Sequence, residues 1–151
     1  MRDLYQVRRI LECGAVRRLA ERLASTSVPY STADLLASVR AAVEEGESAA
    51  AQDAWVAVGT ANMHFHQAVA DLAQSPRVTE AMDHLLAELR LVFHVMGAPQ
   101  AFHATYLPEN RAILELLEAG DLTAAESAIA TYLDAAEAQL VEAYAAAATR
   151  G

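Results

Sequence analysis

The chain reads as all-α, an antiparallel bundle of about six helices, and three observations predict it. Apolar residues recur every three or four positions along most of the 151 residues. No segment sustains the period-2 alternation of a half-buried strand. The hydrophobic fraction is 54%, high for a soluble chain, and much of the excess is alanine, which favours helix without requiring deep burial. Short breaks between the periodic segments imply helices that fold back on their neighbours. Residues 1–151 fit one domain with one core, and no internal repeat is visible.

The first helix is expected from about Asp3 to Ala24, with Leu4, Val7, Leu11, Ala15, Leu19 and Leu23 forming its stripe. The run STSVPYST breaks the pattern. Ser31, with Asp34 three residues on, has the spacing of a capping-box variant and opens a second helix. Gly46 is expected to end that helix, and Ser48 to cap a third running to about Gln74, weakened locally at Gly59. Ser75-Pro76 is a cap followed by proline at the first helical position, so a fourth helix starts there and stops near Gly97. Proline is costly inside a helix, which places the start of the fifth at Pro108 and its end at Gly120. Asp121 or Thr123 then caps a sixth, whose stripe runs through Leu122, Ala125, Ile129, Leu133, Ala136 and Leu140.

Composition removes several function classes. The formal net charge is −9, which repels nucleic-acid phosphates. The basic groups of the first helix sit inside an amphipathic pattern and read as a solvated face. No run approaches the ~20 unbroken apolar residues of a spanning helix, and MRDLYQVRR lacks the apolar core of a signal peptide. A lone Cys13 excludes an internal disulfide, so a cytoplasmic location is expected; the thiol reads as a helix-packing residue. No nucleophile–base pair, phosphate loop or HExxH is present, so the chain is not expected to be an enzyme.

Four polar residues stand close to apolar stripes. Asn62 and His66 lie one helical turn apart and share a face. Asn110 and Tyr132 fall on the fifth and sixth helices. If buried, these groups need partners from each other, water or a ligand. His64 is two residues from His66 and so points about 200° away. His84, His94 and His103 read as surface or boundary residues, and Trp55 as a core or dimer contact.

The stretches DLYQVRRILE, NMHFHQAVADLAQSPRV and ENRAILELLEAGDLTAAE resemble the FCD domain, the ligand-sensing C-terminal half of FadR-subfamily GntR transcriptional regulators. The resemblance runs from Asp3 to about Tyr144 and implies a FadR C-terminal-domain-like bundle. Many members bind a divalent metal through an Asp and His four residues apart and two later His. The matching positions here are Asn62, His66, Asn110 (in Glu109-Asn110-Arg111, where relatives have Glu-His-Arg) and Tyr132, so only His66 keeps an imidazole. Amide and phenol oxygens are weak donors for first-row ions, and no metal cofactor is expected; if any ion bound, His66 would be its ligand.

The resemblance further implies effector binding and dimerisation for a transcriptional regulator, with Arg8, Asn62, His66, Asn110 and Tyr132 as ligand-binding residues and Arg8 facing an anionic metabolite through its guanidinium fork. The expected partners are a small-molecule effector and a second copy of the chain. DNA is expected to be reached only through an N-terminal winged helix-turn-helix domain, which 1–151 does not contain; no membrane partner is expected. Two alternatives remain open: a structural dimerisation bundle with a vestigial pocket, and a small helical enzyme using His66.

Overall fold

The computed structural model describes residues 1–25, 31–96 and 99–148, with side chains throughout except at 95, 96, 99, 147 and 148. Six helices occupy them: α1 (Arg2–Ala24), α2 (Thr32–Ala51), α3 (Trp55–Asp71), α4 (Pro76–Met96), α5 (Pro99–Glu118) and α6 (Leu122–Ala148). The expected all-α bundle is what forms, with no strand among the described residues.

Helix α3 is the hub, packing against α1, α2, α4 and α5. Its sequence explains that position. Val58, Ala61, Asn62, Met63, Phe65, His66, Ala68, Val69 and Ala70 are all buried, so the helix is covered nearly all round. Helix α6 lies along α1 and α5, and α5 also crosses α2. Polar clamps fix these pairings: Arg111 grips Glu47 with two bonds of 2.7–2.8 Å between α5 and α2, and Arg17 reaches Glu126 at 2.7 Å between α1 and α6. Cys13 sits buried at the α1–α6 seam, 3.9 Å from the Glu126 carbonyl, in the packing role expected of it.

Three boundaries differ from the sequence expectation, each for a packing reason. Gly46 does not end α2. A side chain there would meet Leu107 at 3.0 Å and Ala61 at 3.5 Å, so the glycine serves close helix approach instead. The helix ends at Ala51 and is terminated by Asp53, which adopts φ 56° while the Asp53 and Ala54 amides bond back to Ala50 and Ala49, a Schellman pattern without glycine. Ser48 therefore lies inside α2, and α3 starts at Trp55 rather than at a serine cap. Pro108 does not start α5 but lies within it. Phe102, His103, Tyr106, Asn110, Ile113, Leu114 and Leu117 form one buried stripe straight through the proline. Burial at ~1.5–3 kcal/mol per large side chain outweighs a proline penalty of ~3 kcal/mol.

Other signals act as expected. Ser31 accepts from the Asp34 amide at 3.2 Å, and Asp121 rather than Thr123 caps α6 by accepting from the Ala124 amide at 3.2 Å. Gly120 ends α5 at φ 75°, with the Gly120 and Asp121 amides bonded to Leu117 and Leu116. The α4 terminus expected at Gly97 and most of STSVPYST lie outside the described residues. No helix among those described is long and apolar enough to cross a membrane.

Candidate functional site

Helix α1 brings two charges into the core. Its buried face runs Leu4, Tyr5, Arg8, Glu12, Cys13, Val16 and Leu19, rotated from the expected leucine stripe so that Val7 and Leu11 fall to its flank. Arg8, read from sequence as either cavity-facing or solvated, is 1% exposed. Its Nε donates to Glu12 Oε1 at 3.0 Å, one turn along the helix, and its guanidinium carbon lies 5.0 Å from the Tyr5 ring centroid.

Glu12 links α1 to α3. Its second oxygen lies 2.7 Å from Nδ1 of His66, which is itself 2% exposed. Burial works against the Glu12 carboxylate, but the hydrogen bonds and charges of His66 and Arg8 overcome it and hold its pKa below the usual range. Burial, outweighing the pull of Glu12, depresses the His66 pKa and keeps the ring neutral. An ionised carboxylate can only accept, so Nδ1 carries the hydrogen and Nε2 is left as an acceptor.

The amides and the phenol form a second group beside the first. Asn62 Oδ1 accepts from Asn110 Nδ2 at 2.9 Å and from the Tyr132 hydroxyl at 3.0 Å, joining α3, α5 and α6. The Tyr132 ring meets the His66 ring edge-on at 4.9 Å. Burial raises the Tyr132 pKa well above its ordinary value, so the phenol stays neutral. All five expected residues are thus buried together, drawn from four helices. His66 bonds to neither Tyr132 nor Asn110; its Nδ1 is taken by Glu12. Within this cluster, three polar atoms are buried without a hydrogen-bond partner among the described residues: Arg8 Nη2, His66 Nε2 and Asn110 Oδ1.

This donor set does not fit a resident divalent ion. Asn62 Oδ1 is already committed to two hydrogen bonds and Tyr132 is neutral, which leaves His66 Nε2 as the one good nitrogen donor. No group of three or more His, Cys, Asp or Glu placed to hold a metal occurs among the described residues.

Glu12 is the residue that sequence reasoning missed, although Arg8 and Glu12 stand four apart and could have been read as a pair. His103 was missed too. It is 3% exposed, against the expectation of a boundary residue, because α5 begins early enough to seat it on Gly59. His64 behaves as expected: it is exposed, faces away from His66 and pairs with Glu45 at 2.9 Å. Arg111 of the Glu-Asn-Arg motif serves the α2–α5 clamp, not the cluster.

Comparison with known proteins agrees with this frame. A search of the curated proteins found no match. Among solved structures, a chain described as a GntR transcriptional regulator from Rhodococcus sp. RHA1 superposes with a TM-score of 0.81 at 39% identity. The match covers 94% of this chain and 64% of that one, so the chain spans somewhat under two thirds of that protein's length. Residues 3–135 match the FCD domain. By that match over most of its length, the chain belongs to the FCD domain family.

Proposed function

We propose that the chain is the effector-binding and dimerisation domain of a GntR/FadR-type transcriptional regulator, acting without catalysis and in the cytoplasm. The observation that carries the effector reading is the set of three buried, unpartnered polar atoms on α1, α3 and α5. Each would cost roughly 1–3 kcal/mol if left unmet, so a ligand or water should meet them. Their chemistry describes the partner. Arg8 Nη2 needs an acceptor, while His66 Nε2 and Asn110 Oδ1 need donors. A small anionic metabolite that also carries N–H or O–H groups supplies both. Because Glu12 already offsets the Arg8 charge, the anion competes for half of the guanidinium fork rather than meeting a free cation. We further propose that no metal is resident, since only His66 could bind one well.

Binding that favours one arrangement of the bundle would bias the dimer, and through a winged-helix domain of the full regulator its grip on DNA. The test is a thermal-shift screen of carboxylates and sugar acids. A ligand at about 100 times its Kd adds roughly 2.7 kcal/mol, a shift of about 5–10 °C for a domain of this size. Asn110→Ala, which removes an unpartnered acceptor, should abolish the response while the protein stays folded. If no compound shifts the transition and ordered water meets all three atoms, the sensor reading fails. The second reading, a structural bundle with a vestigial pocket, would then stand, favoured by the mutual bonding of Asn62, Asn110 and Tyr132.

A further inference from the structure

A cleft of about 430 Å³ opens between α3, α4 and the start of α5, and none of its lining residues belongs to the polar cluster. That volume lies within the ~300–1,000 Å³ typical of small-molecule sites. Val56, Met63 and Phe93 give it apolar walls, and Arg90 stands beside them. Arg90 has no ion-pair or hydrogen-bond partner among the described residues, in a chain whose net charge is −9. By contrast, Arg9, Arg17, Arg18, Arg40 and Arg111 are each paired with a carboxylate.

His103 also lines the cleft and is fixed in place. A side chain at Gly59 would lie 2.7 Å from its Nε2, so the ring occupies space that only glycine leaves. Phe93 and Phe102 hold it from other sides, at centroid distances of 5.1 and 5.4 Å. The ring is buried, yet its Nδ1 has no hydrogen-bond partner. Burial lowers its pKa to about 4, so it is neutral at neutral pH and leaves Arg90 to supply the charge.

We propose that this cleft is a second binding site, sharing no residue with the Arg8–His66 cluster, for an organic monocarboxylate with an apolar body. The carboxylate pairs with Arg90, the body lies against Val56, Met63 and Phe93, and a polar atom of the ligand meets His103. A guanidinium recognises a carboxylate by parallel hydrogen bonds, and the apolar walls reward a ligand that carries few further polar groups.

The probe is 3-phenylpropanoate, compared with its uncharged amide, titrated into the whole 151-residue chain and followed by NMR. The carboxylate should give saturable shifts at the Gly59 and Thr60 amides and the Met63 methyl. Arg90→Gln, a change at an exposed position, should weaken it roughly tenfold, to the level of the amide. Three results would overturn the proposal: no saturable shift in the millimolar range, equal affinity for carboxylate and amide, or an Arg90→Gln variant that binds as the parent does. Shifts confined to Asn62, Asn110 and Tyr132 would also overturn it, by placing the probe in the inner cluster. The inner cluster's own response depends on Asn110, so either site can fail while the other stands.

Discussion

Glu12 is fully buried, and its one carboxylate satisfies both an arginine and a histidine. Removing it strands the Arg8 charge in the core and frees His66 Nδ1 as well. Breaking a buried pair from one side typically costs about 3–5 kcal/mol, so Glu12→Ala is expected to lose that much stability in urea unfolding. Glu21→Ala removes the partner of an exposed arginine and should change stability by less than about 1 kcal/mol. Equal losses in the two variants would show that the buried pair is not what holds α1 to α3. Acid should act on the buried histidines as well. The folded pKa of His103 is about 4 against an ordinary 6.5, so its contribution is full above pH 6.5 and drains away as pH falls toward 4. The depressed His66 pKa acts in the same direction, and the lowered Glu12 pKa adds a further loss below its usual 4.5. The melting temperature should therefore start to fall below pH 6.5, and His103→Gln should flatten part of that slope; an unchanged slope would remove His103 as a contributor. Asn62, His66, Asn110 and Tyr132 were legible in sequence because their motifs lie on three recognisable helices. Glu12 was not, since a charge on an amphipathic helix ordinarily faces water, and only the tertiary position of His66 turns it inward.

At the scale of the element, glycines separate what local rules can see from what packing decides. Gly14 and Gly59 both lie inside helices and look alike in sequence. Nothing lies within 4 Å of a Cβ added at Gly14, so Gly14→Ala should stabilise by roughly 0.5–1 kcal/mol through helix propensity alone. At Gly59 the same methyl would lie 2.7 Å from a histidine ring held by two phenylalanines. The strain there, typically about 1–3 kcal/mol, exceeds the propensity gain, so Gly59→Ala should destabilise. Denaturant midpoints of the two variants must move in opposite directions; a shared direction would mean that His103 yields easily. The same contrast explains the misplaced boundaries. Gly120 and Ser75-Pro76 mark helix ends through local backbone chemistry, which sequence displays. Gly46 and Pro108 carry equally strong local signals that neighbouring helices override, and the left-handed Asp53 that does end α2 carries almost none.

At the scale of the whole molecule, exposed apolar side chains gather on one face. Leu91 and Tyr144 are 69% and 55% exposed, and they flank a groove shared with Leu4, Val92 and Val141 where α1, α4 and α6 meet. Large apolar side chains grouped on one face mark an interaction surface more often than solitary ones do. A bundle that pairs through its sensing domain would use such a face, and a two-fold pairing sets the same patch against itself. We therefore predict a homodimer, twice 16.2 kDa, at tens of micromolar in sedimentation or light scattering. The combined substitution Leu91→Asp and Tyr144→Asp places like charges opposite each other across the axis and should yield a monomer with unchanged helical content. Both positions are exposed, so the helices themselves should tolerate the change. A parent chain that is already monomeric at that concentration defeats the dimer prediction. A double variant that stays dimeric would instead move the interface to another face, and exposed Ile10 and Val56 would then be the positions to test.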